Sequence, residues 1–228
     1  MKTKTRGNLV VISGPSGAGK GSVIQGVLQK YPHYWLSVSA TSRPIRGNDI
    51  PDVTYYFISK EEFETKIEEG YFLEYTNYVG NYYGTPKEFI QQKLDEGIDV
   101  ILEIEIEGAS NIRKMLPDAL CIFIMPPSLG ELKRRLINRK TDSKEKIMGR
   151  FQTAYNEINE VTKYNYVIVN DVLEEAIEKV EAIVQAANCR VDRIEEIYIN
   201  SLEEEMHEFL IDKEFDNEIK DIRKSEMK

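Results

Sequence analysis

Seven residues near the amino terminus, Gly14-Pro15-Ser16-Gly17-Ala18-Gly19-Lys20, combine three glycines with a closing lysine. Such a run keeps side chains away, so that successive backbone N–H groups can converge on a phosphate chain while the lysine adds a positive charge near the β- and γ-phosphates. The position after the lysine, where a Ser or Thr hydroxyl commonly reaches Mg2+, is Gly21, with Ser22 next. Two readings stay open: Mg2+ is held mainly through nucleotide phosphates and waters, as its reluctance to dehydrate allows, or Ser22 assists. Further along, Arg43 and Arg46 stand three apart with Pro44 fixing the chain between them, so two guanidinium forks could converge on one phosphate. Glu103, Glu105 and Glu107 alternate with Ile104 and Ile106 and in a strand would share one face. Three carboxylates on a buried strand are costly, so they are expected at its C-terminal end, where ligands bind in open α/β sheets.

A phosphate-binding loop needs a strand before it and a helix after it. Residues 8–13 form an apolar, β-branched run, and Val23, Ile24, Val27 and Leu28 follow at helical spacing. Further apolar runs at 35–39, 100–106, 120–125 and 166–169 alternate with helical segments. The pattern predicts an α/β fold with a five-stranded, mostly parallel core sheet and helices on both faces. Between Arg46 and Pro86 the texture changes to short Tyr-rich runs, 55–58 and 71–75, followed by Gly80-Asn-Tyr-Tyr-Gly84, which reads as a small mixed, partly antiparallel insertion. Residues 134–150 are polar and rich in Arg and Lys and are expected to form a helical lid. The expected layout is a core of 1–42, 86–134 and 151–189, an insertion at 43–85, a lid at 135–150, and an acidic helical extension at 190–228. In that extension Ile194, Tyr198, Leu202, Met206 and Phe209/Leu210 would line an apolar stripe.

With 41% hydrophobic and 30% charged residues and only 14 Gly and 8 Pro among 228, the chain is globular, neither collagenous nor wholly disordered. Its 30 Lys and Arg stand against 39 Asp and Glu, a formal net charge of −9. That balance argues against polynucleotides and anionic membranes as partners but leaves mononucleotides open. The charge is uneven: seven Lys and Arg against thirteen Asp and Glu in 190–228 account for −6, leaving −3 for 1–189. Cys121 lies inside an apolar run far from Cys189, which suits a reduced compartment. The apolar stretch after the basic residues 1–6 is too short for a secretory signal or a membrane span, so a cytoplasmic location is expected.

Four stretches, in this order, resemble the guanylate kinases, P-loop enzymes that transfer a phosphoryl group from ATP to GMP. They are 14–20, Val38-Ser-Ala-Thr-Ser-Arg-Pro-Ile-Arg46, Gly80-Asn-Tyr-Tyr-Gly84 and Leu102-Glu-Ile-Glu-Ile-Glu-Gly108, joined by Pro126-Pro-Ser128 and Val169-Asn-Asp171. The resemblance implies ATP on Gly14, Pro15, Ser16, Gly17, Ala18, Gly19, Lys20, Gly21, Ser22 and Asn170. It implies GMP on Ser39, Arg43, Arg46, Tyr55, Glu74, Tyr83, Thr85 and Glu105, and Mg2+ held mainly through phosphates and waters, with Ser22 and Glu103 as further candidates. Lys20, Arg43, Arg135, Arg139 and Arg150 are the implied catalytic residues. A guanine ring offers N1–H and an exocyclic amine on one edge, so a carboxylate such as Glu74 is a natural two-point reader that adenine would leave unpaired. No general base is needed, because the second pKa of the acceptor phosphate is about 6 and its oxygen is already largely ionised at neutral pH.

The sequence also departs from the family pattern. Asp49 stands where Glu is usual, Pro51-Asp52 where a glycine turn is usual, Ser42 for Thr, Lys140 for Gly, and Glu at 103, 105 and 107 for Asp, Asp and Gln. The leading expectation is an ATP:GMP phosphotransferase that also accepts dGMP, with ATP and GMP as its partners, no polynucleotide or membrane, and a C-terminal helix whose stripe packs either on the domain or on a second copy as a homo-oligomer. Two alternatives stand beside it: an inactive guanylate-kinase-like interaction module, and a P-loop kinase for another small phosphorylated acceptor.

Overall fold

The computed structural model describes residues 6–47, 49–78, 80–138 and 144–190. In chain order the elements are β1 (Leu9–Ser13), α1 (Lys20–Lys30), β2 (Tyr34–Leu36), β3 (Ala40–Thr41), β4 (Tyr56–Phe57), α2 (Lys60–Glu68), β5 (Phe72–Tyr78) and β6 (Asn81–Pro86). There follow α3 (Lys87–Asp95), β7 (Asp99–Glu103), α4 (Ile106–Met115), β8 (Leu120–Met125), α5 (Leu129–Asn138), α6 (Lys144–Ile158), a 3-10 turn (Asn159–Lys163), β9 (Tyr166–Val169) and α7 (Leu173–Asn188).

Five strands form a parallel sheet in the order β2-β7-β1-β8-β9. Every residue of β1 is buried because helices cover both faces, which is why its sequence is a continuous apolar run rather than an alternating one. The strand pleat then divides the core. Val10, Ile12, Ile101, Ile122 and Ile124 pack with α1 and α7 on one face, while Leu9, Val11, Val100, Leu102 and Cys121 pack on the other with Ile90 and Leu94 of α3 and Ala109 and Ile112 of α4. At the sheet edge, the Tyr34 hydroxyl donates to Glu181 of α7 at 2.7 Å.

A second, mixed sheet runs in the order β4-β3-β6-β5, with β3 and β4 parallel and both β6 pairings antiparallel. Its core is aromatic: Phe63 of α2 stacks between Phe72 and Tyr82 at centroid distances of 4.3 and 5.1 Å. Helices α5 and α6 form a separate hairpin held by Leu132, Leu136 and Ala154 with Ile147, Phe151 and Ile158.

Two strand expectations are corrected. The run at 35–39 contributes only Tyr34–Leu36, and the run at 100–106 stops at Glu103. Glu105 takes extended backbone at the N-cap of α4, and Glu107 lies in its first turn, so Glu103, Glu105 and Glu107 do not share a strand face. The buried helical spacing of Gly108, Ala109 and Ile112 overrides the short alternation before it. The expected stripe from Ile194 to Leu210 lies outside the described residues, as do Arg139 and Lys140.

Candidate active site

Strand β1 delivers the chain to Gly14, and α1 takes over at Lys20. The helix starts with no acidic residue in its first turn and no side-chain cap, so its leading N–H groups remain for an anion. Gly19 caps it in the left-handed region, with φ 93° and ψ 23°, and a Cβ there would come within 2.4 Å of Asn170 Nδ2. Only glycine satisfies both constraints. Asn170, buried after β9, donates from Nδ2 to Ala18 O at 2.9 Å and from its backbone N–H to Met125 O at 2.7 Å. Arg135 of α5 adds bonds from Nη1 to Ala18 O at 3.2 Å and from Nη2 to Asn170 O at 2.9 Å. Asn170 and Arg135 thus hold the back of the loop, and Lys20 Nζ donates to Gly14 O.

The front of the loop opens on a cleft of about 290 Å3 lined by Pro15, Ser16, Gly17, Gly19, Lys20, Gly21, Ser22, Glu103 and Glu105. A cavity of about 400 Å3 behind α4 contains none of the expected site residues, and a cleft of about 540 Å3 between α1 and α7 contains only Ser22 of them. Glu103 ends β7 with its side chain exposed to the cleft, and desolvation by the surrounding protein still pushes its carboxyl above the ordinary range, with Lys20 opposing and Glu105 adding to the shift.

The second sheet holds a different kind of site. Glu74 of β5 is 6% exposed, and its partner across the ladder is Thr85 of β6, whose hydroxyl donates to Oε1 at 2.6 Å. Oε2 is buried without a hydrogen-bond partner. Burial raises the Glu74 pKa, the Thr85 hydroxyl opposes the shift, and Glu107 adds to it. A Cβ on Gly108 would meet Oε2 at 2.7 Å, so the first turn of α4 can approach this carboxylate only through a glycine. Glu107, one residue earlier, accepts from Thr76 Oγ1 at 3.4 Å and links α4 to β5.

Arg43, Tyr55 and Tyr83 meet between these two regions. The Arg43 guanidinium lies 5.0 Å from the Tyr55 ring centroid and 5.3 Å from that of Phe57, and the Tyr55 and Tyr83 rings meet edge to face at 6.0 Å. Burial pushes the Tyr55 hydroxyl up, and Glu103 is the largest charge acting on it, which ties this cluster to the phosphate-loop cleft. Arg46 is on the exposed loop beyond, and half-buried Ser39 precedes β3, its carbonyl accepting from Tyr56 N at 2.9 Å. Ser42 supports the ladder, its Oγ accepting from Tyr82 N at 2.9 Å.

Three acidic residues escaped the sequence reading as contributors to this architecture. Glu131 accepts from Arg134 and Arg135, first and second in effect, which hold its carboxyl at about 2. Glu157 follows half-buried Arg150 and buried Ala154 of α6 at helical spacing. Burial, then Glu105, raise the Glu157 pKa, while Lys20 and the Ser16 N–H oppose them. That spacing was the available signal for Glu157. Asp49 registered only as a departure from pattern.

A phosphate loop facing a buried carboxylate across an Arg-Tyr-Tyr cluster fits what the comparisons show. The guanylate kinase family model matches residues 6–187. The chain belongs to the guanylate kinase family. Guanylate kinases of Clostridium perfringens (strain SM101 / Type A) and Clostridium tetani (strain Massachusetts / E88) are each 51% identical to it over 207 residues. These alignments cover 91% of this chain and 96% and 99% of those relatives. The crystal structure of guanylate kinase from Anaplasma phagocytophilum shares the fold with a TM-score of 0.70 at 31% identity, over 84% of this chain and 91% of that one.

Proposed function

We propose that this guanylate kinase phosphorylates GMP, and dGMP, with ATP as donor. A phosphate oxygen of GMP attacks the γ-phosphorus, the bond to the β,γ-bridging oxygen breaks, and ADP leaves with that electron pair. The observation that carries the reading is the unsatisfied Oε2 of buried Glu74. A buried acceptor costs free energy until a donor arrives, and guanine brings two donors on one edge.

In this reading the loop 14–20 with Gly21 and Ser22 holds the ATP phosphates, and Asn170 shapes the ATP side by fixing Ala18. Arg43, Arg46, Tyr55 and Tyr83 take the acceptor phosphate. Glu74, with Ser39 and Thr85, reads the base, and Glu105 faces GMP. Lys20, Arg135, Arg139 and Arg150 balance the charge that transfer gathers between two phosphate groups; arginines in such roles are worth about 10³ to 10⁵ in rate. Catalysis is positioning plus electrostatics.

Kinases of this family generally use a divalent metal with ATP, and we assign it as Mg2+. The residues fit it: Glu103 and Ser22 line the cleft, and the missing Cβ at Gly21 leaves space with no atom within 4 Å. The ion would be held largely by phosphates and waters, as the reluctance of Mg2+ to dehydrate allows. Bound there, the metal would neutralise charge on the β- and γ-oxygens.

Among the described residues no helix is long and apolar enough to cross a membrane. A cytoplasmic location and self-association through 190–228 complete the proposal; light scattering of the chain with and without that segment tests the latter. The decisive experiment is turnover of GMP, dGMP, AMP, CMP and UMP with ATP and Mg2+, with GMP expected fastest. Comparable rates on AMP would remove the role of Glu74. No turnover of any nucleotide, with ATP still bound, would point to an inactive module.

A further inference from the structure

Residues 49–54, which carry the departures Asp49 and Pro51-Asp52, are held by local hydrogen bonds. Asp49 N donates to Arg46 O at 2.9 Å, Ile50 N to Thr54 Oγ1 at 3.0 Å, Thr54 N to Ile50 O at 2.8 Å, and Asp52 N to Tyr55 O at 3.1 Å. Asp52 turns the chain at φ 64°, the left-handed region that Asp tolerates better than most non-glycine residues. The loop carries the Asp49 carboxylate back onto Arg43. Oδ2 accepts from Nη1 at 2.6 Å and from the Arg46 backbone N–H at 2.6 Å, and Oδ1 accepts from Nη2 at 2.9 Å. Nη1 also donates to Pro44 O at 2.9 Å.

A guanidinium has five N–H groups, and Asp49 and Pro44 take three of them, all from Nη1 and Nη2. Among the described residues, Nε–H and the second Nη2–H have no acceptor, although Arg43 is only 8% exposed. Those two donors share one edge of the planar group, the edge that grips an oxyanion through two parallel bonds. The guanidinium cannot swing away, because the rings of Tyr55 and Phe57 lie beside it and Asp49 grips its other edge.

We propose that Asp49 is a positioning residue for the acceptor phosphate: it occupies one edge of Arg43 so that the other stands preformed as a two-donor site for a phosphate dianion. The ligand class is a phosphomonoester, and the proposal rests on the reading above that Arg43 serves the GMP phosphate. Asp49 itself touches no substrate.

The test is titration calorimetry of GMP and of guanosine, which lacks the phosphate, against wild type and against Asp49→Ala, Asp49→Asn and Asp49→Glu. Wild type should bind GMP the more tightly. Asp49→Ala should raise the Kd for GMP about tenfold or more, as for a lost charged hydrogen bond, and leave guanosine within about twofold. Asp49→Asn matches the shape but turns an amide donor toward an arginine donor, so it should lose the same preference, whereas Asp49→Glu should recover much of it. If the alanine variant fails to fold, the asparagine variant decides. A GMP-to-guanosine ratio unchanged in Asp49→Asn, or equal losses for both ligands, would overturn the positioning role. Equal affinity of wild type for both ligands would overturn the phosphate role of Arg43, and the proposal with it, while base reading by Glu74 would still be judged by the nucleotide panel.

Discussion

Glu74 is kept where an ionised carboxylate is least stable, and this sets the pH behaviour of the acceptor site. Burial raises its folded-state pKa, so the stability it contributes is full below the unfolded value and is lost as pH rises through the raised one. Glu74→Gln should therefore raise Tm at neutral pH. The same change replaces one acceptor by a donor and should lower kcat/KM for GMP by about 10- to 150-fold, the range of a charge-assisted hydrogen bond. In wild type the KM for GMP should climb as pH falls toward the carboxylate range, beginning at a higher pH than an ordinary Glu would give, and Glu74→Gln should flatten that rise. Lys20→Ala should cut kcat by roughly 10²- to 10³-fold, as for removal of one transition-state donor, with GMP affinity retained. Equilibrium binding of GMP beside steady-state rates checks both halves of that expectation.

At the scale of elements, the two halves of the site come from different packing problems. The loop after β1 is braced by α5 through Arg135 and by the segment after β9 through Asn170, residues 117 and 152 positions away from the Ala18 carbonyl they share. Local pattern reveals a strand, a glycine loop and a helix, but not this long-range bracing. Helix α4 was misread for a related reason. Glu-Ile alternation over five residues fits a strand face as well as a helix start, and burial of Gly108, Ala109 and Ile112 decides for the helix. Gly108→Ala tests the consequence. Its Cβ would displace the Glu74 carboxylate, so the KM for GMP should rise about tenfold, comparable to losing one hydrogen bond to a charge, while the KM for ATP stays within twofold. Equal changes in both constants would mean that α4 as a whole had shifted.

Across the whole molecule, part of the net acidity is offset inside the fold, where arginines close on carboxylates. Asp49 is held at about 2, chiefly by the Arg43 side chain and then by the Arg46 N–H, and Glu131 at about 2 by Arg134 and Arg135. Both folded-state values are depressed, so the stability they contribute is full above the unfolded carboxylate range near 4 and is lost as pH falls from there through about 2. Thermal melts should show Tm dropping across that window, and the double variant Asp49→Asn with Glu131→Gln should show a shallower drop.

The phosphate loop, the parallel sheet and the family were legible in the sequence, since each rests on short-range spacing and on apolar runs that report two covered faces. Glu74 entered as a candidate only through the family resemblance, since its local sequence reads as one carboxylate among 39. Tertiary structure alone decided which oxygen of Glu74 is unsatisfied, that Gly108 is what lets α4 approach it, and that Arg43 is gripped along one edge by Asp49. These are properties of distance and exposure between residues far apart in the chain or brought together by an irregular loop, and the order of residue types carries no direct signal of either.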